Sequence, residues 1–180
     1  AGDMFSRKTE MVTAADALPG RDTPLVVDPT HVVLGTSIVP PFPAGTEVIA
    51  VEYRHDKAVV ASERLEAVSV VRGDAGLLPF PDASADLVSS IEVLEHLPGF
   101  ERAVAEMARI CRGRLVVSVP WEPWFRLGNL GRGKNLARFG NDPEHVQFFT
   151  PARLHRALSQ HFTEVRVVKA FPWLIAEARP

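Results

Sequence analysis

From Glu47 to the C-terminus, short runs rich in β-branched residues alternate with amphipathic stretches, and this alternation constrains the fold more than any other feature of the chain. Glu47–Tyr53, Val68–Arg72, Asp86–Ser90 and Arg114–Val119 predict strands. His55–Glu66, Phe100–Cys111 and Thr150–Ser159 predict helices. In the second of these, Ala103, Val104, Met107, Ala108 and Cys111 recur at three- and four-residue steps. In the third, Thr150 followed by Pro151 supplies the chemistry of a helix start. Glu164–Val168 and Trp173–Ala178 predict two closing strands. Strands and helices in this order build an α/β fold, a mostly parallel sheet with helices on both faces.

Ahead of residue 47 the pattern is different. Six of the fifteen prolines fall within residues 1–45, and Pro40-Pro41-Phe42-Pro43 favours extended backbone because each ring fixes its own φ and restricts its predecessor. Only Thr13–Leu18, as a turn of helix, and His31–Leu34, as a strand, look regular. The chain therefore divides into an irregular proline-rich arm, residues 1–46, and an α/β domain, residues 47–180.

Composition excludes several classes of protein. A formal net charge of -2 and a pI of about 6.3 give no electrostatic footprint for nucleic acid or an anionic membrane. No apolar run reaches membrane-spanning length. The single cysteine, Cys111, rules out an internal disulfide framework and suits a reducing compartment. With no charged-then-apolar leader pattern at the start, the expected address is the cytoplasm.

Chemistry-bearing residues gather where strands end. In open α/β sheets, ligands bind beyond the carboxyl ends of the strands, and an acidic side chain there can accept hydrogen bonds from ribose hydroxyls. Glu52 stands at such an end with Tyr53 beside it, and Asp74 follows the next strand. The run Val71-Arg72-Gly73-Asp74-Ala75, then Leu78-Pro79-Phe80, then Asp86-Leu87-Val88-Ser89-Ser90-Ile91-Glu92-Val93-Leu94-Glu95-His96-Leu97 closely resembles the class I S-adenosylmethionine (SAM)-dependent methyltransferases of the small-molecule branch. The resemblance covers about residues 47–180.

This resemblance implies a Rossmann-like sheet with an antiparallel last strand, and SAM as cofactor. It places the ribose on Glu52, the adenine on Asp74 and the Ala75 backbone, and the methionine end on the Ser90-Ile91 backbone. Leu77, Leu78 and Phe80 are then candidate walls of the adenine slot. The family's opening strand, Gly-x-Gly turn and first helix have no counterpart before Glu47. The arm either leaves the first strand's position empty or fills it with His31–Leu34.

The arm has a resemblance of its own. Residues 4–48, including Ala14-Ala15-Asp16-Ala17-Leu18-Pro19-Gly20 and His31-Val32-Val33-Leu34-Gly35, are similar to the N-terminal extension of A-type peptide methionine sulfoxide reductases. The Gly-Cys-Phe-Trp-Gly nucleophile motif of that family is absent, and Cys111 lies on the apolar side of a predicted helix, where cysteine acts as a small hydrophobe.

Two further groups remain. Glu92, Glu95 and His96 stand at i, i+3 and i+4, which share a face on a helical turn. With His145 they could ligate a divalent metal. Alternatively they order the loop, or His96 serves as general base toward an acceptor. Trp121, Trp124 and Phe125, directly after a strand end, together with His145, either cover a small-molecule substrate or pack the loop down.

The expected activity is methyl transfer to an oxygen or nitrogen of a small molecule. The alternatives are a degenerate module that keeps the fold without catalysis and, remotely, a reductase-related fusion lacking its cysteine motif. A homodimer through the arm or through an exposed strand edge is the expected assembly if the protein associates.

Overall fold

The centre of the sheet is built by four residues of the proline-rich arm. In the computed structural model, which describes residues 31–36, 46–65 and 67–180, His31–Leu34 form strand β1. It pairs in parallel with β2 (Val48–Glu52) on one side and β4 (Ala85–Ile91) on the other. Of the two alternatives for the first strand's position, the one in which His31–Leu34 fill it is therefore the one observed. A four-residue apolar run between prolines gives a weak strand signal alone, but two flanking parallel strands satisfy both its edges. Thr13–Leu18, and residues 37–45 where a first helix would follow, lie outside the described residues.

The remaining elements follow the sequence pattern. Helix α1 (His55–Arg64) leads to β3 (Ser69–Arg72), which pairs in parallel with β2. After β4 come a short 3-10 turn (Leu94–His96), helix α2 (Phe100–Ile110) and, without a linker, the ten-residue β5 (Cys111–Pro120). Helix α3 (Trp124–Gly131) and a second 3-10 turn (Leu136–Arg138) lie between the strand ending at Pro120 and the helix that Thr150 caps, where no regular element was expected. Helix α4 (Pro151–Leu158) begins as expected, with the Thr150 hydroxyl accepting from the Arg153 N–H at 3.3 Å. β6 (Glu164–Ala170) and β7 (Trp173–Arg179) close the sheet as an antiparallel hairpin, with β7 also antiparallel to β5. The strand order is β3-β2-β1-β4-β5-β7-β6.

Alternation along the central strands divides the core between the two faces. Val32 and Leu34 of β1 join Ile49 and Val51 of β2, along with Val104 and Met107 of α2 and Leu154 of α4. Val33 joins Val48, Ala50, Ala58, Ala61 and Val70 in a second cluster with α1. A strand buried on both faces reads as a continuous apolar run, as Val32-Val33-Leu34 does. At its amino end the buried His31 imidazole meets Ser89 Oγ through Nε2 at 3.0 Å. Burial lowers its pKa from 6.5 to about 4.

The order of strands fixes where a ligand can sit. It reverses direction at β1, between β2 and β4, and the carboxyl ends of those strands form the crevice that open sheets use for binding. Glu52, Asp74, Ser90 and the turn holding Glu95 and His96 all lie at or just past that edge.

Candidate functional site

The crevice opens with Gly35, directly after β1. Its φ is +79°, the left-handed region, and its N–H donates to the Val51 carbonyl at 2.8 Å. A Cβ built there would lie 3.0 Å from Val93 Cγ2, so both the turn and the close approach call for glycine. Among the described residues, it is the glycine that stands where the methyltransferase resemblance places a glycine turn. Next to it, the Thr36 hydroxyl donates to Glu52 Oε2 at 2.8 Å, and the Arg54 N–H donates to Glu52 Oε1 at 3.0 Å. The half-buried Glu52 carboxylate is thus held by two donors at the tip of β2.

Asp74 lies past the end of the neighbouring β3. One of its oxygens accepts the Gly76 N–H at 2.8 Å, and the Leu77 N–H reaches the Asp74 carbonyl at 2.9 Å. It therefore caps its own turn, which orients the carboxylate. Ala75 packs against the core. Leu78 and Phe80, expected as walls of an adenine slot, are core residues with 0% and 2% exposure.

That loop is clamped by charge. The buried Glu106 carboxylate on α2 accepts from the Leu78 N–H at 2.9 Å and from Arg109 Nη2 at 2.8 Å. Arg109 in turn donates to the Leu78 and Phe80 carbonyls and to Asp82. Glu106 first, then Asp82, raise the pKa of the guanidinium further.

At the carboxyl end of β4, Ser90 is fully buried and its hydroxyl meets no hydrogen-bond partner, while Ile91 is half-buried. Tyr53 is 60% exposed. Glu92 departs from the shared-face expectation. Its φ is +55°, so it precedes the helical turn rather than belonging to it. Its carboxylate accepts from Ser118 Oγ at 2.8 Å and from Trp173 Nε1 at 2.9 Å. Glu92 therefore ties β4 to β5 and β7 and is not part of the ligand cluster.

Glu95, His96 and His145 do converge, with their ligand atoms all within 4.8 Å of one another. Glu95 is 1% exposed and neither carboxylate oxygen finds a hydrogen-bond donor. Burial, and after it the Glu92 carboxylate, hold its pKa well above the ordinary carboxylate range. His96 Nδ1 lies 3.0 Å from the Glu144 carbonyl, which can only accept. Nδ1 therefore carries a hydrogen, and whenever the imidazole is neutral Nε2 bears the lone pair. Burial, followed by the His96 charge, lowers the pKa of His145.

The aromatic segment follows the carboxyl end of β5 directly. Trp121 meets Trp124 edge-on at 6.1 Å, and Phe125 lies against His145 at 5.4 Å. Trp124 leans toward Phe171 at 6.5 Å, and Lys169 Nζ sits 5.3 Å over Trp121. Gly140 locks the segment. At φ +76° its carbonyl accepts from Asn129 Nδ2 at 2.9 Å, and a Cβ there would lie 2.2 Å from the Arg126 carbonyl. Many apolar side chains of this region are exposed, including Trp124, Leu127, Leu136, Phe139 and Phe148.

Sequence reasoning missed Glu122. It is 7% exposed, both carboxylate oxygens lack a hydrogen-bond partner, and burial raises its pKa. The available signal was an acid set among Pro120, Trp121, Pro123 and Trp124, where solvation is poor. Cys111 opens β5 instead of ending the helix as expected; it is buried, and burial pushes its thiol pKa up. No helix among the described residues is long and apolar enough to cross a membrane.

A family model described as a methyltransferase domain matches residues 34–117. A "probable S-adenosylmethionine-dependent methyltransferase" of Mycobacterium tuberculosis is 41% identical over 76 residues, covering 41% of this chain and 28% of that protein. The demethylmenaquinone methyltransferase of Thermobifida fusca is 32% identical over 156 residues, covering 77% of this chain and 64% of that protein. The chain thus spans about a quarter to somewhat under two thirds of these relatives' lengths. Among solved structures, a SAM-dependent methyltransferase of Thermotoga maritima aligns with a TM-score of 0.62 at 19% identity, covering 97% of this chain and 88% of that one. A short partial match, 55% identical over 42 residues, links the chain to the peptide methionine sulfoxide reductase of Rhodospirillum centenum, covering 23% of this chain and 19% of that protein.

Proposed function

The chain carries a class I SAM-dependent methyltransferase domain, and from that premise we propose that it methylates an oxygen or nitrogen of a small, largely apolar molecule. The observation that carries the reading is the pair of oriented carboxylates, Glu52 and Asp74, at the tips of neighbouring parallel strands beside a complete β1. The donor set fits the cofactor. Glu52 would take the ribose hydroxyls, with Thr36 yielding its hydrogen bond. Asp74 and the Ala75 N–H would take the adenine. The orphaned Ser90 hydroxyl and the Ser90-Ile91 backbone would take the methionine end.

SAM supplies a methyl group already activated on a sulfonium, so the protein's share of the work is mainly positioning and exclusion of water. Trp121, Trp124 and Phe125, just past the carboxyl end of β5, would do both on the acceptor side. Their exposure, and that of Leu127, Leu136 and Phe139, suits an apolar acceptor. Relatives named as demethylmenaquinone methyltransferase and as a probable tocopherol O-methyltransferase point to the same substrate class.

Differential scanning fluorimetry with S-adenosylhomocysteine tests the reading. A ligand that binds only the folded state raises the melting temperature with concentration. Glu52→Ala should weaken binding by about 10–100-fold, the worth of one or two charge-assisted hydrogen bonds. A melting temperature that stays flat to millimolar ligand favours the non-catalytic module, a reading supported by Thr36 and Ser37 standing where a second glycine is expected.

A further inference from the structure

We propose that Glu95, His96 and His145 form a binding site for a divalent cation of the zinc class, built where the turn after β4 meets the loop before α4. Four independent observations converge on it. The three donor atoms already cluster within 4.8 Å. Glu95 is 1% exposed with both carboxylate oxygens unpartnered, and a buried carboxylate without a donor is costly unless a cation or a proton satisfies it.

The other two observations concern how the ligands are held. His96 donates its Nδ1 hydrogen to the Glu144 carbonyl at 3.0 Å, the support that metal-ligating histidines characteristically receive, and this leaves Nε2 as the ligand atom. The Glu95 carbonyl accepts both the Val146 and Gln147 N–H groups, at 2.9 and 3.0 Å. Those bonds fasten the loop bearing His145 to the turn bearing the other two ligands. The His145 ring lies edge-on to His96 at 4.9 Å and against Phe125 at 5.4 Å, which limits its rotation.

The donor set selects the ion. Two imidazoles and one carboxylate suit zinc, iron, cobalt or manganese, whereas magnesium and calcium prefer oxygen ligands alone. A tetrahedral zinc holds its ligands about 3.4 Å apart, so small rotations of Glu95 and His145 would draw the cluster onto the ion. Three protein ligands leave a position for water or for an oxygen of an acceptor, and that open position is the mark of a reactive rather than a structural site. The site itself is independent of the methyltransferase reading. Only the use of the open position to orient an acceptor oxygen rests on it.

The test uses the full chain, stripped with a chelator and titrated with Zn2+ by calorimetry and with Co2+ by visible absorption. One equivalent should bind, with cobalt bands typical of nitrogen and oxygen ligation. Glu95→Gln and His145→Ala should each weaken the affinity by at least about tenfold. A double substitution of the distant His155 and His161 should leave it unchanged. Circular dichroism confirms that each variant is folded, and His145→Asn replaces any variant that is not. Absence of saturable Zn2+ and Co2+ binding, or a folded His145 variant that binds as tightly as the original chain, overturns the proposal. Metal binding that persists where S-adenosylhomocysteine fails to bind would sink the transferase reading and leave this site standing.

Discussion

Two segments leave the carboxyl edge of the sheet, and opposite chemistry holds them. The loop after β3, residues 73–82, is pinned by Glu106 and Arg109, whose charges meet backbone groups of Leu78 and Phe80 and the Asp82 carboxylate. The segment after β5, residues 121–149, is held by backbone hydrogen bonds, a buried Asn129 and ring contacts. Buried ionisable groups in the first are bonded. In and beside the second, Glu95 and Glu122 are buried without donors. A satisfied buried charge fixes geometry, whereas an orphaned one is costly until a proton, a water or a cation satisfies it. The first segment is fixed by satisfied charges, whereas in and beside the second two carboxylates lack hydrogen-bond partners.

Glu106→Ala should break this contrast most severely. Removing one member of the ion pair strands the Leu78 N–H and leaves Arg109 only Asp82 and two carbonyls, at a cost of about 3 kcal/mol by urea denaturation. S-adenosylhomocysteine affinity should fall with it, because the Asp74 loop loses its anchor. Retention of both stability and affinity would show that the clamp is incidental.

A smaller effect should come from acid. The folded His31 titrates near pH 4 rather than 6.5, so between those values the unfolded chain binds more protons. Its neutral form is fully tolerated above about pH 6.5. Stability should then decline as the pH falls toward about 4, by about 1–2 kcal/mol after allowance for partial solvation. His31→Gln should flatten that part of the profile measured by thermal melts, and an unaltered slope would assign the acid sensitivity elsewhere.

Glu122→Gln should have the smallest effect on stability, within about 1 kcal/mol and in either direction, since no bond is lost. Its consequence should appear in acceptor KM instead. A large loss of stability would reveal a structural partner and weaken the contrast between the two segments.

Much of the frame was legible in sequence. The strands and helices from Glu47 onward appear within a few residues of their expected bounds, because each carries a periodic apolar face that burial rewards. Three features were less legible, each for a different reason. β1 is only four residues long, and neighbours on both sides rather than propensity decide its conformation. Helix α3 contains Gly128 and Gly131, which weaken the helical signal, and its cover position leaves apolar side chains exposed. Glu92 was grouped with Glu95 and His96 on helical spacing, but a positive φ starts the helical turn after it and directs its carboxylate to Ser118 and Trp173. Spacing identifies a shared face only where the backbone is helical throughout.

The four residues of β1 carry a burden out of proportion to their number. They are the seam between two half-sheets, β3-β2 on one side and β4-β5-β7-β6 on the other. Were that seam to come undone, β2 and β4 would each show a raw margin of unmatched amides, ready to zip onto the corresponding strand of a sister molecule. Exchange of this one short segment between copies would knit two subunits together without a single new side-chain contact.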